Sequence, residues 1–156
     1  MEKDSPSAHS RDICPVIKSL QEIGDKWILL ILRESFFGVK KFDDYQASLN
    51  ISRSVLTKKL SQMVDYNLLE KSIYKAENQR GRNEYLLTKK GKELLPFVAS
   101  LIDWGNKYQV KNGEETIELI DSSNSKPIHL SLENELGEKV RFRQLNVKKI
   151  IKPESK

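Results

Sequence analysis

Six consecutive apolar residues, Trp27-Ile28-Leu29-Leu30-Ile31-Leu32, stand between Lys26 and Arg33. The run predicts a helix over Lys26 to Glu34 that is apolar nearly all round. Such a helix has no face to show to water, so it must be the buried centre of the domain. It is far too short to cross a bilayer, which takes about 20 apolar residues.

The neighbouring segments read as shorter helices with polar punctuation. Residues 1–12 are a flexible arm. They lack an apolar stretch of the secretory-signal type, and a cytoplasmic protein is expected. Pro15 suits the first position of a helix, where its missing N–H costs nothing. Val16, Ile17, Leu20 and Ile23 follow at helical spacing, Gly24 can stop that helix, and Asp25 can start the next. Phe36-Phe37-Gly38-Val39 reads as a turn. Phe42, Tyr45 and Leu49 share one side of a third, short helix. Asn50-Ile51-Ser52 is a break, with Ser52 an N-cap for a fourth helix to about Tyr66. Asn67 can take the left-handed conformation that ends it. Glu70–Lys75 and Asn83–Leu87 read as two strands of a hairpin, with Tyr74 and Tyr85 expected to pair across it. Thr88 caps one long helix to about Lys107, and Pro96 should bend it or confine its start. Beyond Asn112-Gly113 the style changes. Thr116–Ile120, Pro127–Leu132 and Lys139–Phe142 are short β-like pieces joined by turns at Ser122–Ser125 and Glu135–Gly137. The expected class is therefore mainly α with a small β-hairpin wing (α+β), with a β-rich appendage over 108–156.

Charge is concentrated in one place. Lys71 to Lys92 holds seven basic residues and two acidic ones, a net +5 that equals the charge of the whole 156-residue chain. A local basic excess favours a polyanion, with nucleic acid first among them. The single cysteine, Cys14, excludes an internal disulfide, and His9 and His129 have no partners at ligand spacing, so neither metal nor cofactor is expected. No Gly-rich phosphate loop, nucleophile elbow or triad pattern is present, so the chain does not read as an enzyme.

The order of four helices, hairpin and helix is that of a winged helix-turn-helix, with the fourth helix as the reader of a DNA major groove. At about 100° per residue from Ser52, Val55, Leu56, Leu60, Met63 and Val64 cluster on one side. Ser54, Thr57, Lys58, Ser61 and Gln62 face the other way, and Arg53 occupies the first turn. Lys59 falls inside the apolar arc and must snorkel outward. In the wing, Arg80 and Arg82 flank Gly81, and arginine suits phosphate forks and narrow minor grooves. The candidate DNA-binding set is Ser52, Arg53, Ser54, Thr57, Lys58, Ser61, Arg80 and Arg82, and the expected partner is double-stranded DNA. A winged helix that binds protein instead would show an apolar or acidic reader face.

The chain resembles the HxlR-type bacterial regulators, a branch of the winged-helix superfamily close to the MarR type. The resemblance rests on Cys14-Pro15-Val16, Ile23-Gly24-Asp25-Lys26-Trp27, Leu29-Leu30-Ile31-Leu32, Lys41-Phe42-Asp43-Asp44-Tyr45 and Ile51 to Leu60. It continues through Asn67 to Lys71, Glu84 to Thr88, Lys90-Gly91, Leu95-Pro96 and Trp104-Gly105, and covers about Ile13 to Asn106. The wing departs from the family's usual proline-containing tip. Ile117 to Val147 is similar to a C-terminal extension that some members carry with cysteine pairs, here without them, so no zinc is inferred. The resemblance implies a homodimer on an inverted repeat, with the first and last helices as interface. The residues assigned to it are Val16, Leu20, Leu94, Val98, Leu101, Ile102 and Trp104.

Cys14 keeps two readings. It sits at the N-terminal end of the first helix, where a thiolate is stabilised, and members with cysteine there include sensors of oxidants and electrophiles. The other reading is a structural cysteine at the dimer interface. Trp27 is assigned to the core in preference to a ligand pocket.

Overall fold

In the computed structural model, which describes residues 14–74, 82–114 and 116–146, the apolar run lies within one helix. Only Ile28, Ile31 and Leu32 of the run are buried, while Trp27, Leu29 and Leu30 are half-buried, so the helix is not sealed all round as expected. Helices α1 (Pro15–Ile23), α2 (Lys26–Phe36), α3 (Phe42–Leu49) and α4 (Arg53–Asp65) precede strands β1 (Leu69–Tyr74) and β2 (Arg82–Leu87). Helices α5 (Lys89–Lys92) and α6 (Leu95–Tyr108) follow, then β3 (Leu132–Glu133), β4 (Lys139–Val140) and a 3-10 turn at Phe142–Gln144. The expected mainly α class with a hairpin wing is what is found. The chain divides into two compact units, one ending at Asp103 and one beginning at Trp104, inside α6 and ahead of the boundary drawn from the sequence. The arm read over 1–12 lies outside the described residues.

In the first unit, Ile28, Ile31 and Leu32 of α2 are sealed among Ile23, Tyr45, Ile51, Leu56, Leu60, Met63, Leu68, Leu69 and Val98. Local chemistry sets the helix ends. Pro15 opens α1, and the Gly24 N–H closes it on Leu20 O at 2.8 Å. Gly24 is right-handed (φ −73°), so its role is close approach: a Cβ there would stand 2.4 Å from Leu20 O. Asp25 caps α2, accepting from the amides of Trp27 (2.9 Å) and Ile28 (3.4 Å). α2 runs through Phe36, beyond the expected end, because Phe36 packs on the core; the turn comes at Gly38 (φ +91°). Tyr45 of α3 is fully buried, donates to Val39 O (2.7 Å) and lies 2.8 Å from Ser35 Oγ, which ties α3 to the end of α2. Asn50 (φ 46°) and Asn67 (φ 56°) are left-handed at the two ends of the α4 segment.

β1 and β2 pair antiparallel from Leu69↔Leu87 to Tyr74↔Arg82. This corrects the expected tyrosine pair, since Tyr85 stands opposite Lys71. Burial of Leu69 at the base of the hairpin sets the register, and a fixed register leaves no choice further out. A bridge of Lys41 to Glu84 and a Tyr85 N–H bond to Lys40 O (2.8 Å) add the chain before α3 to the outer edge of β2. The single long helix expected after Thr88 is two. Thr88 Oγ1 accepts from Gly91 N (3.0 Å) to start α5, and the helix begins again with Pro96 in the first turn of α6, where its ring breaks no hydrogen bond.

In the second unit the three expected β pieces are reduced to an Ile120–Pro127 bridge and the two-residue ladder of β3 and β4, and Phe142 enters a 3-10 turn. The expected turns do form, around 122–124 and 135–137. No described residue beyond Ala99 is buried: Ile120, Ile128, Leu130 and Leu132 stay exposed, and strands whose apolar side chains are not covered stay short.

Candidate nucleic-acid interface

The fourth helix has the two faces its sequence demands. Leu56, Leu60 and Met63 are wholly buried, with Val55 and Val64 half-buried beside them. Ser52, Arg53, Ser54, Thr57, Lys58 and Ser61 are all exposed. Ser52 Oγ accepts from Val55 N (3.4 Å), so this hydroxyl is a cap as well as a surface group. Thr57 Oγ1 donates to Arg53 O (2.8 Å). Gln62, read with the outward face, is instead half-buried and donates to Tyr66 Oη at 3.0 Å. Lys59 is a second correction. It does not snorkel to solvent: its side chain is 15% exposed and its ammonium reaches Asp25 Oδ2 at 2.8 Å. That bond is the main cause holding the Asp25 carboxyl below its ordinary value.

Between the start of α3, the first turns of α4 and the wing strands lies a cleft of about 860 Å³. Lys41, Arg53 and Lys71 line it together with Phe42, Asn83 and Tyr85, while Asp43 and Asp44 supply opposite charge. The Arg53 guanidinium stacks over the Phe42 ring, 4.9 Å from its centroid. Burial pushes the Tyr85 phenol up, so it remains a neutral hydroxyl. Of the lining residues only Arg53 and Thr57 belong to the candidate set read from the sequence; Lys41, Phe42, Lys71, Asn83 and Tyr85 do not. For Lys41 the Lys40-Lys41 pair was the one available signal, but only its bridge to Glu84 brings it beside the wing. Arg82 pairs with Tyr74 at the end of the ladder, and Arg80 lies outside the described residues.

Residues 22–113 match the HxlR-like helix-turn-helix family. The chain belongs to this family. It is a family of helix-turn-helix transcriptional regulators, not of enzymes. An HTH-type transcriptional regulator of Mycobacterium bovis is 36% identical over 91 residues, 58% of this chain and 56% of the relative, so the match spans little more than half of that protein's length. The crystal structure of PA1607, a candidate transcription factor, superposes with a TM-score of 0.78 at 28% identity, covering 92% of this chain and 100% of that one. The redox regulator HypR in its reduced form gives a TM-score of 0.55 at 26% identity, over 61% of this chain and 93% of HypR.

All of the reader-helix candidates fall within the HxlR-matched segment, whereas Cys14, Val16 and Leu20 precede it. Cys14 is half-buried at the N-cap of α1, its carbonyl accepting from Lys18 N at 3.1 Å, and its thiol makes no capping bond. Of the residues assigned to a dimer interface, Val16, Leu20, Leu101 and Trp104 are exposed. Val98 is corrected: it is 4% exposed and belongs to the core of its own chain, with no surface to offer a partner. Leu94 and Ile102 pack against the same core. α6 turns part of its apolar stripe inward, so less of it is surplus than composition implied. No helix among the described residues is long and apolar enough to cross a membrane.

Proposed function

We propose that this HxlR-family chain is a sequence-specific transcriptional regulator that binds an inverted-repeat operator as a homodimer in the cytoplasm. The observation that carries the reading is the exposed polar face of α4 beside a cleft lined by Lys41, Arg53 and Lys71. A helix with short hydroxyl side chains and one lysine outward fits base edges in a major groove, and cations beside it suit the flanking phosphates. Arg80 and Arg82, read from the sequence, are proposed as further phosphate contacts. The exposed apolar side chains of α1 (Val16, Leu20) and of α6 (Leu101, Trp104) supply the contacts for a second copy. Two reader helices then meet successive major grooves roughly 34 Å apart.

Cys14 is the proposed point of control by a small oxidant or electrophile. A relative of similar fold is a redox regulator, and this thiol sits on the helix assigned to the dimer contact. With no second cysteine in the chain, the chemistry is a disulfide to the partner's thiol, a mixed disulfide with a small thiol, or alkylation.

Selection of bound duplexes from random DNA, with reduced and with oxidant-treated protein, tests both parts. An enriched inverted repeat that disappears on oxidation and persists in Cys14→Ser supports the whole reading. The same repeat under both conditions keeps the regulator and returns Cys14 to a structural role. No enrichment, with binding absent or insensitive to salt, favours a winged helix that binds protein.

A further inference from the structure

Lys59 is the one charged residue on the inward arc of the reader helix, and its long side chain is spent on a residue 34 positions earlier, at the corner between α1 and α2. Its target cannot follow it. Asp25 Oδ1 is held by the amides of Trp27 and Ile28, which leaves Oδ2 fixed in place for the ammonium at 2.8 Å. The remaining mid-helix contacts of α4 with the core, through Leu56, Leu60 and Met63, are apolar. Apolar burial is non-directional: it holds a helix against a core but discriminates weakly among small rotations about its axis. A charge-assisted hydrogen bond is short and directional, and it singles out one rotation. The C-terminal end of α4 has a separate tie, because Lys90 Nζ donates to Tyr66 O (3.0 Å) while pairing with Glu22. Loss of the Asp25 bond would therefore leave α4 seated while removing the directional restraint at the middle of its inward face, so that its rotation can shift slightly.

We infer that Asp25 and Lys59 are a positioning pair that sets the rotation of the reader helix and so the aim of Ser54, Thr57 and Lys58. Neither residue touches DNA in this role. The inference rests on the reading that the outer face of α4 meets base edges. A rotation error displaces base contacts, which need alignment, more than phosphate contacts, which long flexible cations can restore.

The test compares Lys59→Met, which keeps the stem and removes the charge, and Asp25→Asn, which keeps a capping oxygen, with the double variant. Affinity is measured for the selected repeat and for a shuffled duplex of the same composition, at several salt concentrations and well below each melting midpoint. The expected result is a specificity ratio reduced about tenfold in each single variant, no further loss in the double, and an unchanged salt slope. Should Lys59→Met fail to fold, Asp25→Asn carries the same expectation. Folded variants with the parental ratio and only a lower melting midpoint would overturn the inference and leave the DNA reading intact. Weaker binding to both duplexes with a shallower salt slope would make Lys59 a phosphate contact and also overturn it. A parent protein that fails to tell the two duplexes apart would overturn both.

Discussion

The Arg53 guanidinium at the start of α4 lies over the Phe42 ring at the start of α3, 4.9 Å from its centroid. The stack joins the N-terminal ends of both helices of the helix-turn-helix and restrains a cation on the edge of the cleft. Restraint matters because a free arginine loses rotamer entropy when it binds a phosphate. Phe42→Leu keeps most of the burial against the core but removes the ring face. We expect DNA affinity to fall about two- to fivefold, the worth of an exposed cation–π contact. A binding isotherm beside a thermal melt checks this; unchanged affinity would mean that the stack does not prepare Arg53 for DNA.

Cations and hydroxyls on α4 should fail differently. Arg53→Ala and Lys58→Ala are expected to weaken binding to all sequences and to lower the salt slope by about 1 each. Changing Ser54 or Thr57 should alter which duplexes are enriched, with the salt slope unmoved. Equal effects of both classes on sequence preference would contradict the assignment of roles.

Gly91 marks a tight approach. It is buried, and a Cβ there would lie 2.2 Å from the backbone oxygen of Leu68 and 3.1 Å from Leu87 Cδ2. A backbone oxygen cannot step aside, so Gly91→Ala should destabilise by about 1–3 kcal/mol despite the better helix propensity of alanine. Denaturant melts would show it as a lowered midpoint.

Tyr45 makes stability sensitive to alkali. Burial pushes its phenol from 10.0 up to about 12, so the unfolded chain gives up this proton first. Its contribution is complete below pH 10 and is lost as pH rises toward 12, by about 2–3 kcal/mol in all. Tyr45→Phe should cost about 1–3 kcal/mol at neutral pH, because Val39 O loses its donor, and should flatten the alkaline slope. Melts from pH 8 to 11 on both proteins separate the two effects.

Asp25 acts at the other end of the scale. Its carboxyl is lowered, chiefly by the Lys59 hydrogen bond, so the stability it adds is present above pH 3.8 and is lost as pH falls through the depressed value. Lys59→Met should reduce that acid dependence. Identical acid melts for the two proteins would show that the pair contributes nothing to folding.

Much of the fold was legible because it depends on near neighbours. Caps are local chemistry, so Pro15, Asp25, Ser52, Asn67 and Thr88 mark helix ends in the sequence as they do in the structure. Helical period depends on adjacent turns, so the polar side of α4 could be drawn before any contact was known. The second unit was read less well, because short alternating segments form strands only where something covers them, and little covers these.

By itself, then, the amino-acid order determined the outward face of α4 apart from Gln62, where α1, α2 and α4 begin, and to which family the chain belongs. Tertiary structure alone decided that Lys59 turns to Asp25, that Lys41 joins the wing through Glu84, that Tyr85 faces Lys71, and that Val98 is core. The physical reason is the same in each case. These contacts join residues far apart in the chain, and whether a charge is paired or an apolar side chain is covered depends on which element packs against it.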